Sequence, residues 1–301
     1  MRAIEFATYG GPDVLELREV PVPEPGPGQA RVAVRAAGVN PLDWKLRSGA
    51  MSDVAPLAFP HRPGLEFAGV VDAVGDGAPV EVGDEVLGWS ETGSYAEYAL
   101  SSVLTRKPES LTWRDAAALP VAGEAALRGL RLLEVGAGDV LLIHGASGAV
   151  GALATQLAVA RGATVIGTCG DSGTEFVRSL GATPVRYGDG LVERVREISP
   201  GVDAVLDAAG HGALPDSVEL RGGTDRIVTL ADPAAFGMGI TFSGGEPGDQ
   251  NSAVLRELVD QVASGRLRIR HARSYPLAEA ARAHDDSATG HSGGKLTLDI
   301  G

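Results

Sequence analysis

The chain has 301 residues, room for two domains at about 150 residues each. Apolar residues make up 44% and charged residues 22%, an ordinary globular composition, and no run of about 18 apolar residues offers a membrane span. Thirty-nine acids against 26 bases leave a net charge of −13, which argues against a nucleic-acid or anionic-membrane partner, and the single cysteine excludes both a disulfide framework and a multi-cysteine zinc lobe.

The first 110 residues read as β-rich. Met1-Arg2-Ala3-Ile4-Glu5 carries an early acid and no signal-peptide core, so a cytoplasmic location is expected. Alternating Pro and Gly between 21 and 28 form a turn-rich segment. Residues 29–37 then alternate, with Val32 and Val34 on one face and Arg31 and Arg35 on the other, the period of a half-buried strand. Residues 67–74 form a second strand and 80–87 contain a third. Short strands punctuated by Gly and Pro predict a small barrel.

The pattern changes near 111. Residues 111–133 are rich in Ala and Leu at helical spacing. Strands at 139–144, 163–168, 185–187, 204–207 and 226–230 then alternate with helices at 150–161, 174–180, 191–198 and 213–220. This alternation predicts a doubly wound parallel sheet with helices on both faces. Beyond 245 come an amphipathic helix at 252–263, a short extended piece at 267–269, a helix at 277–284 and a last strand at 296–300. That lone strand needs partners, and a return to the N-terminal domain would supply them.

The strongest local motif is His144-Gly145-Ala146-Ser147-Gly148-Ala149-Val150-Gly151. It follows a buried strand and opens a helix, as a dinucleotide fingerprint requires. Ala146, Gly148 and Gly151 hold the three glycine-type positions. Gly148 admits a pyrophosphate close to the backbone, Gly151 lets helix and strand pack closely, and the N–H groups from Ser147 through Ala149 and Val150 open the helix toward the phosphates. The next strand ends Thr168-Cys169, where NAD-preferring domains carry an acid for the ribose 2′-hydroxyl. A neutral Cys169 there favours NADP(H), although Asp171 lies two residues on. Arg178, Arg186 and Tyr187 are the candidate contacts for a 2′-phosphate.

Motifs along the whole chain, in order, resemble one family. They include Gly10-Gly11-Pro12-Asp13-Val14-Leu15, Gly38-Val39-Asn40-Pro41-Leu42-Asp43-Trp44-Lys45 and Pro63-Gly64-Leu65-Glu66-Phe67-Ala68-Gly69. Val82-Gly83-Asp84-Glu85-Val86, Gly93-Ser94-Tyr95-Ala96-Glu97-Tyr98, Ala116-Ala117-Ala118-Leu119-Pro120 and Gly294-Lys295-Leu296 continue the series. The chain is similar to the zinc-free quinone oxidoreductase branch of the medium-chain dehydrogenase/reductase superfamily. The resemblance implies an α/β fold: a GroES-like β-barrel catalytic domain from 1–116 and 246–301, discontinuous around a Rossmann doubly wound parallel sheet at 117–245. It also implies a nicotinamide cofactor and a homodimer. Zinc-dependent relatives use a His-Glu pair where this chain has Leu65-Glu66, and leucine cannot ligate, so no metal site is expected.

Without a Lewis acid, hydrogen bonds must polarise an enone or quinone. The resemblance implies that the Asn40–Lys45 segment lies at the mouth of the nicotinamide pocket. Asn40 would donate through its amide, Lys45 would supply a cation, and Asp43 would orient either one. Only three lysines occur, Lys45, Lys107 and Lys295, so one at a motif position stands out. The bland reading is that Asp43 caps a helical turn and Lys45 is a surface cation. Tyr95 reads as barrel structure. Relatives carry a leucine–threonine pair where this chain has Glu124-Ala125; Glu124 either faces the pocket as a proton donor, its pKa raised by burial, or faces solvent as an ordinary helix charge, and the second is preferred. The expectation is thus an NADP(H)-dependent enone, quinone or enoyl reductase acting on a small molecule. The alternative is an NADP(H)-binding protein with little catalysis, serving a structural or redox-sensing role.

Overall fold

The computed structural model describes residues 1–246 and 248–301. In chain order it contains β1 (Arg2–Glu5), β2 (Glu16–Glu19), β3 (Ala30–Val39), α1 (Pro41–Ser48), β4 (Glu66–Val74), β5 (Glu85–Trp89), β6 (Tyr98–Ser101), β7 (Leu104–Arg106), α2 (Trp113–Ala117) and α3 (Pro120–Leu132). The central stretch follows: β8 (Val140–His144), α4 (Ala149–Ala160), β9 (Thr164–Cys169), α5 (Thr174–Ser179), β10 (Thr183–Arg186), α6 (Leu191–Arg196), β11 (Ala204–Asp207), α7 (Leu214–Arg221), β12 (Ile227–Thr229), α8 (Ala235–Met238) and β13 (Thr241–Phe242). The chain ends with α9 (Ser252–Ala263), β14 (His271–Pro276), α10 (Ala280–Ala288) and β15 (Lys295–Asp299).

One compact unit comprises residues 1–121, 250–264 and 271–301. Its main sheet runs β14-β15-β3-β4-β5-β7, with β6 also paired to β3. The ten-residue β3 makes this arrangement work. Along one side it pairs with β4; β6 pairs with its residues 30–33 and β15 with 36–39. Register shifts at Arg31/Val32 and Val34/Ala36 mark bulges that bend the strand, as barrel closure requires. The C-terminal strand therefore finds its antiparallel partner in β3. Val32, Val34, Phe67, Val71, Tyr95 and Leu298 fill the interior. The 111–133 stretch is two helices, because Pro120 lacks the N–H that a continuous helix would use and instead begins α3.

The other unit comprises residues 122–249 and 265–270. Its six strands are all parallel, in the order β10-β9-β8-β11-β12-β13. Numbered from β8, this is the 3-2-1-4-5-6 order of the dinucleotide-binding fold, with the switch point between β8 and β11. Leu142, Ile166, Val205 and Ile227 build its core with residues from the covering helices. The helix α4 is apolar nearly all round and buried from Gly151 to Ala158, as its composition dictates.

The division differs from 117–245. It falls five residues later, at 122, and residues 265–270 join the parallel-sheet unit. The amide of Gln156 in α4 grips the backbone of Arg268 from both ends: Nε2 donates to its carbonyl at 2.9 Å and Oε1 accepts its N–H at 2.8 Å. That side chain takes the bonds a neighbouring strand would have taken, so 267–269 is not a strand, and the strand forms at His271–Pro276 instead.

Candidate active site

Two constellations carry the chemistry-bearing residues, one in each unit. The first follows β8. Gly145 leaves the strand, its N–H donating to Thr168 Oγ1 at 3.1 Å, and Ala146 N–H donates to the Thr168 carbonyl at 2.9 Å. Thr168 thereby anchors the fingerprint loop to the end of β9. A Cβ on Gly151 would lie 2.2 Å from the Gly145 carbonyl oxygen, so only glycine permits this approach of helix to loop. Gly148 is the N-cap of α4, and no side chain caps that helix. The half-buried backbone from Ser147 through Ala149 and Val150 therefore presents a positive helix end and a cradle open to an anion. The residues present fit a dinucleotide pyrophosphate.

At the end of β9, Cys169 is buried, and burial pushes its thiol pKa up, so it is a neutral filler. Tyr187 is 51% exposed, with its hydroxyl close to Gly170. The structure brings Tyr187 to this strand end but commits Arg178 elsewhere: its guanidinium pairs with Glu175 on the exposed face of α5. Arg186 lies 3.8 Å from Asp171, both largely exposed. Sequence reasoning missed Arg270. Its Nη1 donates to the Ser147 carbonyl at 2.8 Å, and its guanidinium lies 4.0 Å from the centre of the Phe176 ring. It lies 123 positions from Ser147 in the chain, with only the run of alternate arginines at 266, 268 and 270 as a signal.

The second constellation is buried where β3 ends. Asn40 is the N-cap of α1, Pro41 its first residue, and Asp43 Oδ2 accepts the Asn40 N–H at 2.8 Å. This is the helix-start chemistry of a capping carboxylate, so the segment is a full helix rather than a turn. The Asn40 amide is engaged through both its nitrogen and its oxygen. Its Nδ2 donates to Glu66 Oε1 at 2.9 Å, and its Oδ1 accepts from Lys295 Nζ. Lys295 also donates to Glu66 Oε1, and Glu66 Oε2 accepts the Val121 N–H at 2.8 Å. Glu66 is fully buried and Lys295 4% exposed. A Cβ on Gly38 would lie 2.3 Å from Glu66 Oε1, which reserves that position for glycine. The scarcity of lysine was the available signal for Lys295.

Asp43 also accepts from the buried Tyr95 hydroxyl at 3.0 Å, and His284 Nε2 lies 3.3 Å from that hydroxyl. Burial raises the Asp43 pKa from 3.8 to about 6 despite these hydrogen bonds. Burial, with the Arg47 charge nearby, lowers His284 to about 3 and keeps it neutral. Tyr95 has one proton and gives it to Asp43, so His284 Nε2 is the donor to Tyr95, and its Nδ1, which has no partner, is the bare nitrogen. Burial and the Asp43 charge push the Tyr95 pKa well up. Tyr95 is thus barrel structure with a polar handle.

Neither arrangement weighed for Glu124 is the one observed. It is buried and bound bidentately by Arg128, at 2.8 and 3.2 Å, one helical turn along α3. Arg128 also donates to the Ser243 carbonyl at 2.9 Å. The carboxylate is held by a fixed cation instead of standing free as a proton donor or facing solvent. Among the four expected catalytic residues, only Lys45 has a side chain with no hydrogen-bond or ion-pair partner among the described residues. Its ammonium is half-buried, 5.8 Å from the Trp44 ring centre.

Residues 26–107 match the alcohol dehydrogenase GroES-like domain and 180–298 the zinc-binding dehydrogenase family. The quinone oxidoreductase of Mus musculus is 32% identical over 323 residues, covering 98% of this chain and 96% of that protein. The chloroplastic NADPH-dependent alkenal/one oxidoreductase of Arabidopsis thaliana is 33% identical over 319 residues, covering 99% and 79%. A mycobacterial protein whose native structure is complexed with NADPH superposes with a TM-score of 0.87 at 28% identity, covering 99% of this chain and 100% of that one. No group of three or more His, Cys, Asp and Glu among the described residues could hold a metal ion. The donor set therefore does not fit the zinc that one matched family carries in its description. No helix among the described residues is long and apolar enough to cross a membrane. The chain belongs to the quinone oxidoreductase branch of the medium-chain dehydrogenase/reductase superfamily and is an oxidoreductase.

Proposed function

We propose that this oxidoreductase uses NADPH to reduce an activated C=C bond or a quinone, without a metal. The observation that carries the reading is the fingerprint cradle at the switch point, with a neutral Cys169 where a ribose-binding acid would stand. The NADPH-bound neighbour and the alkenal/one reductase relative support it.

When bound, NADPH supplies a hydride. In enone reduction the hydride would add to the β-carbon, the C=C π pair would become the bond between the α-carbon and the carbonyl carbon, the carbonyl π pair would move to the oxygen as an enolate, and a proton would then complete the α-carbon. Lys45 stabilises the oxygen charge, since its ammonium is uncommitted. Asn40 is a positioning residue: its links to Glu66 and Lys295 fix the start of the helix that carries Lys45. Asp43 and Glu124 hold hydrogen-bonded partners, so water delivers the proton.

A homodimer belongs to this reading, supported by the edge strand β13 and by Phe236, 74% exposed, its ring tilted at 36° against Phe242. So does a cytoplasmic location, in keeping with a lone unpaired cysteine. The test is NADPH oxidation against a panel of enones and quinones. Turnover of at least one class is expected. Tight NADPH binding without turnover of any would refute the reading and favour a structural or redox-sensing role.

A further inference from the structure

The parallel-sheet unit has an electrostatic problem at the end of β9. A 2′-phosphate there needs a cation, and the local sequence Cys169-Gly170-Asp171-Ser172-Gly173-Thr174 supplies none. Asp171 adds a negative charge instead. The two local arginines are committed, Arg178 to Glu175 and Arg186 toward Asp171.

Arg270 is differently placed. It comes from the 265–270 segment, which the Gln156 amide pins against α4. Its guanidinium lies over Phe176 at 4.0 Å, and one nitrogen is anchored to the Ser147 carbonyl. Ser147 belongs to the fingerprint loop and stands beside the end of β9: a Cβ on Gly173 would lie 2.9 Å from Ser147 Cβ and 3.1 Å from Cys169 Cβ. Ring and carbonyl hold the guanidinium while leaving donors unused. Among the described residues no carboxylate comes within ion-pair distance of it. Partial burial lowers its pKa. A half-buried, preorganised, unpaired cation beside a phosphate-binding loop is costly unless an anion completes it.

We infer that Arg270 is the residue that recognises the 2′-phosphate of NADP(H), delivered to the end of β9 from a segment about a hundred residues beyond it. The assignment rests on the NADPH reading above. Tyr187 stands beside Gly170 at the same strand end. The arginine takes the place of the local base that the β9–α5 connection lacks, and it offsets Asp171.

The test is binding, read by titration calorimetry on the full chain with NADPH, NADH, 2′,5′-ADP and 5′-AMP. For Arg270→Gln, NADPH and 2′,5′-ADP affinities are expected to fall about 10–100-fold, as for loss of a charge-assisted hydrogen bond, while NADH and 5′-AMP change less than about twofold. Arg270→Lys is expected to recover part of the loss, since lysine keeps the charge without the fork. Equal losses for phosphorylated and unphosphorylated ligands would show that Arg270 only shapes the Ser147 loop, and would overturn the inference. So would an unchanged NADPH preference in Arg270→Gln. If the wild-type chain binds NADH as tightly as NADPH, the cofactor reading fails first, independently of Arg270.

Discussion

Replacing Lys295 by methionine removes the only cation from the buried group formed with Asn40 and Glu66. Glu66 is fully buried and accepts from Asn40 Nδ2, Lys295 Nζ and the Val121 N–H. Without the ammonium, its carboxylate keeps two neutral donors and loses its counter-charge. Breaking a buried pair from one side costs about 3–5 kcal/mol. Glu66→Gln alone is as damaging, because it strands the Lys295 ammonium on amide oxygens with no counter-charge. The double variant, Glu66→Gln with Lys295→Met, buries no charge in this group. The amide introduced at position 66 keeps the Val121 N–H on its oxygen, and its nitrogen donates to the Asn40 oxygen that the ammonium has vacated. One donor, Asn40 Nδ2, then lacks its acceptor, so the double variant is expected to lose only about 1–3 kcal/mol. All three tryptophans, Trp44, Trp89 and Trp113, lie in the barrel unit, so urea unfolding followed by tryptophan fluorescence reports on that unit. If the double variant loses the sum of the two singles, the cluster is not an interacting pair and the reasoning fails.

The raised Asp43 pKa favours the folded state when that group is protonated; this contribution is fully present below about pH 4 and is lost as the pH rises through 6. The gap in unfolding free energy between wild type and Asp43→Asn should therefore move against the wild type by about 2 kcal/mol in all between pH 4 and 6, measured by urea titration at fixed ionic strength. His284 has the opposite sign, contributing stability above pH 6.5 that is lost as the pH falls toward 3, so His284→Gln should tilt the other way. Lys45→Met should cut kcat/KM for an enone about 10–100-fold while the NADPH dissociation constant stays put; an unchanged kcat/KM would remove Lys45 from the chemistry. Gly151→Ala drives a methyl into the Gly145 carbonyl and should abolish NADPH binding by calorimetry and lower the melting temperature. Glu124→Gln should leave the pH–rate profile unmoved, because Arg128 already occupies both oxygens of that carboxylate; a shifted profile would return it to proton transfer.

Much of the parallel-sheet unit was legible in the chain. Buried strands such as 139–144 and 204–207 and the fingerprint between Gly145 and Gly151 are local patterns, set by residue period and by the steric demand of one turn. The helix Pro41–Ser48 was equally local: Asp43 reads from the sequence as the cap of a helical turn, and in the structure its carboxylate accepts the Asn40 N–H. Strands β1, β2, β6, β7, β13 and β14 were not legible: they are two to six residues long, and an exposed one such as Glu16–Glu19 carries no apolar alternation.

By itself, then, the sequence determined the fold class and the cofactor cradle, both of which depend on residue type within short windows. The tertiary structure decided which candidates are free to act. Asn40 meets Glu66 across 26 positions and Lys295 across 255, and these long-range bonds engage both ends of an amide that was expected to face a substrate. Glu124 and Arg128 sit one turn apart, but whether they pair in the interior or point to solvent depends on burial, which no local pattern records. Arg270 reaches Ser147 only because the chain returns to the parallel sheet after leaving it. A side chain's charge is written in the sequence; its partner, and therefore its chemistry, is set by packing.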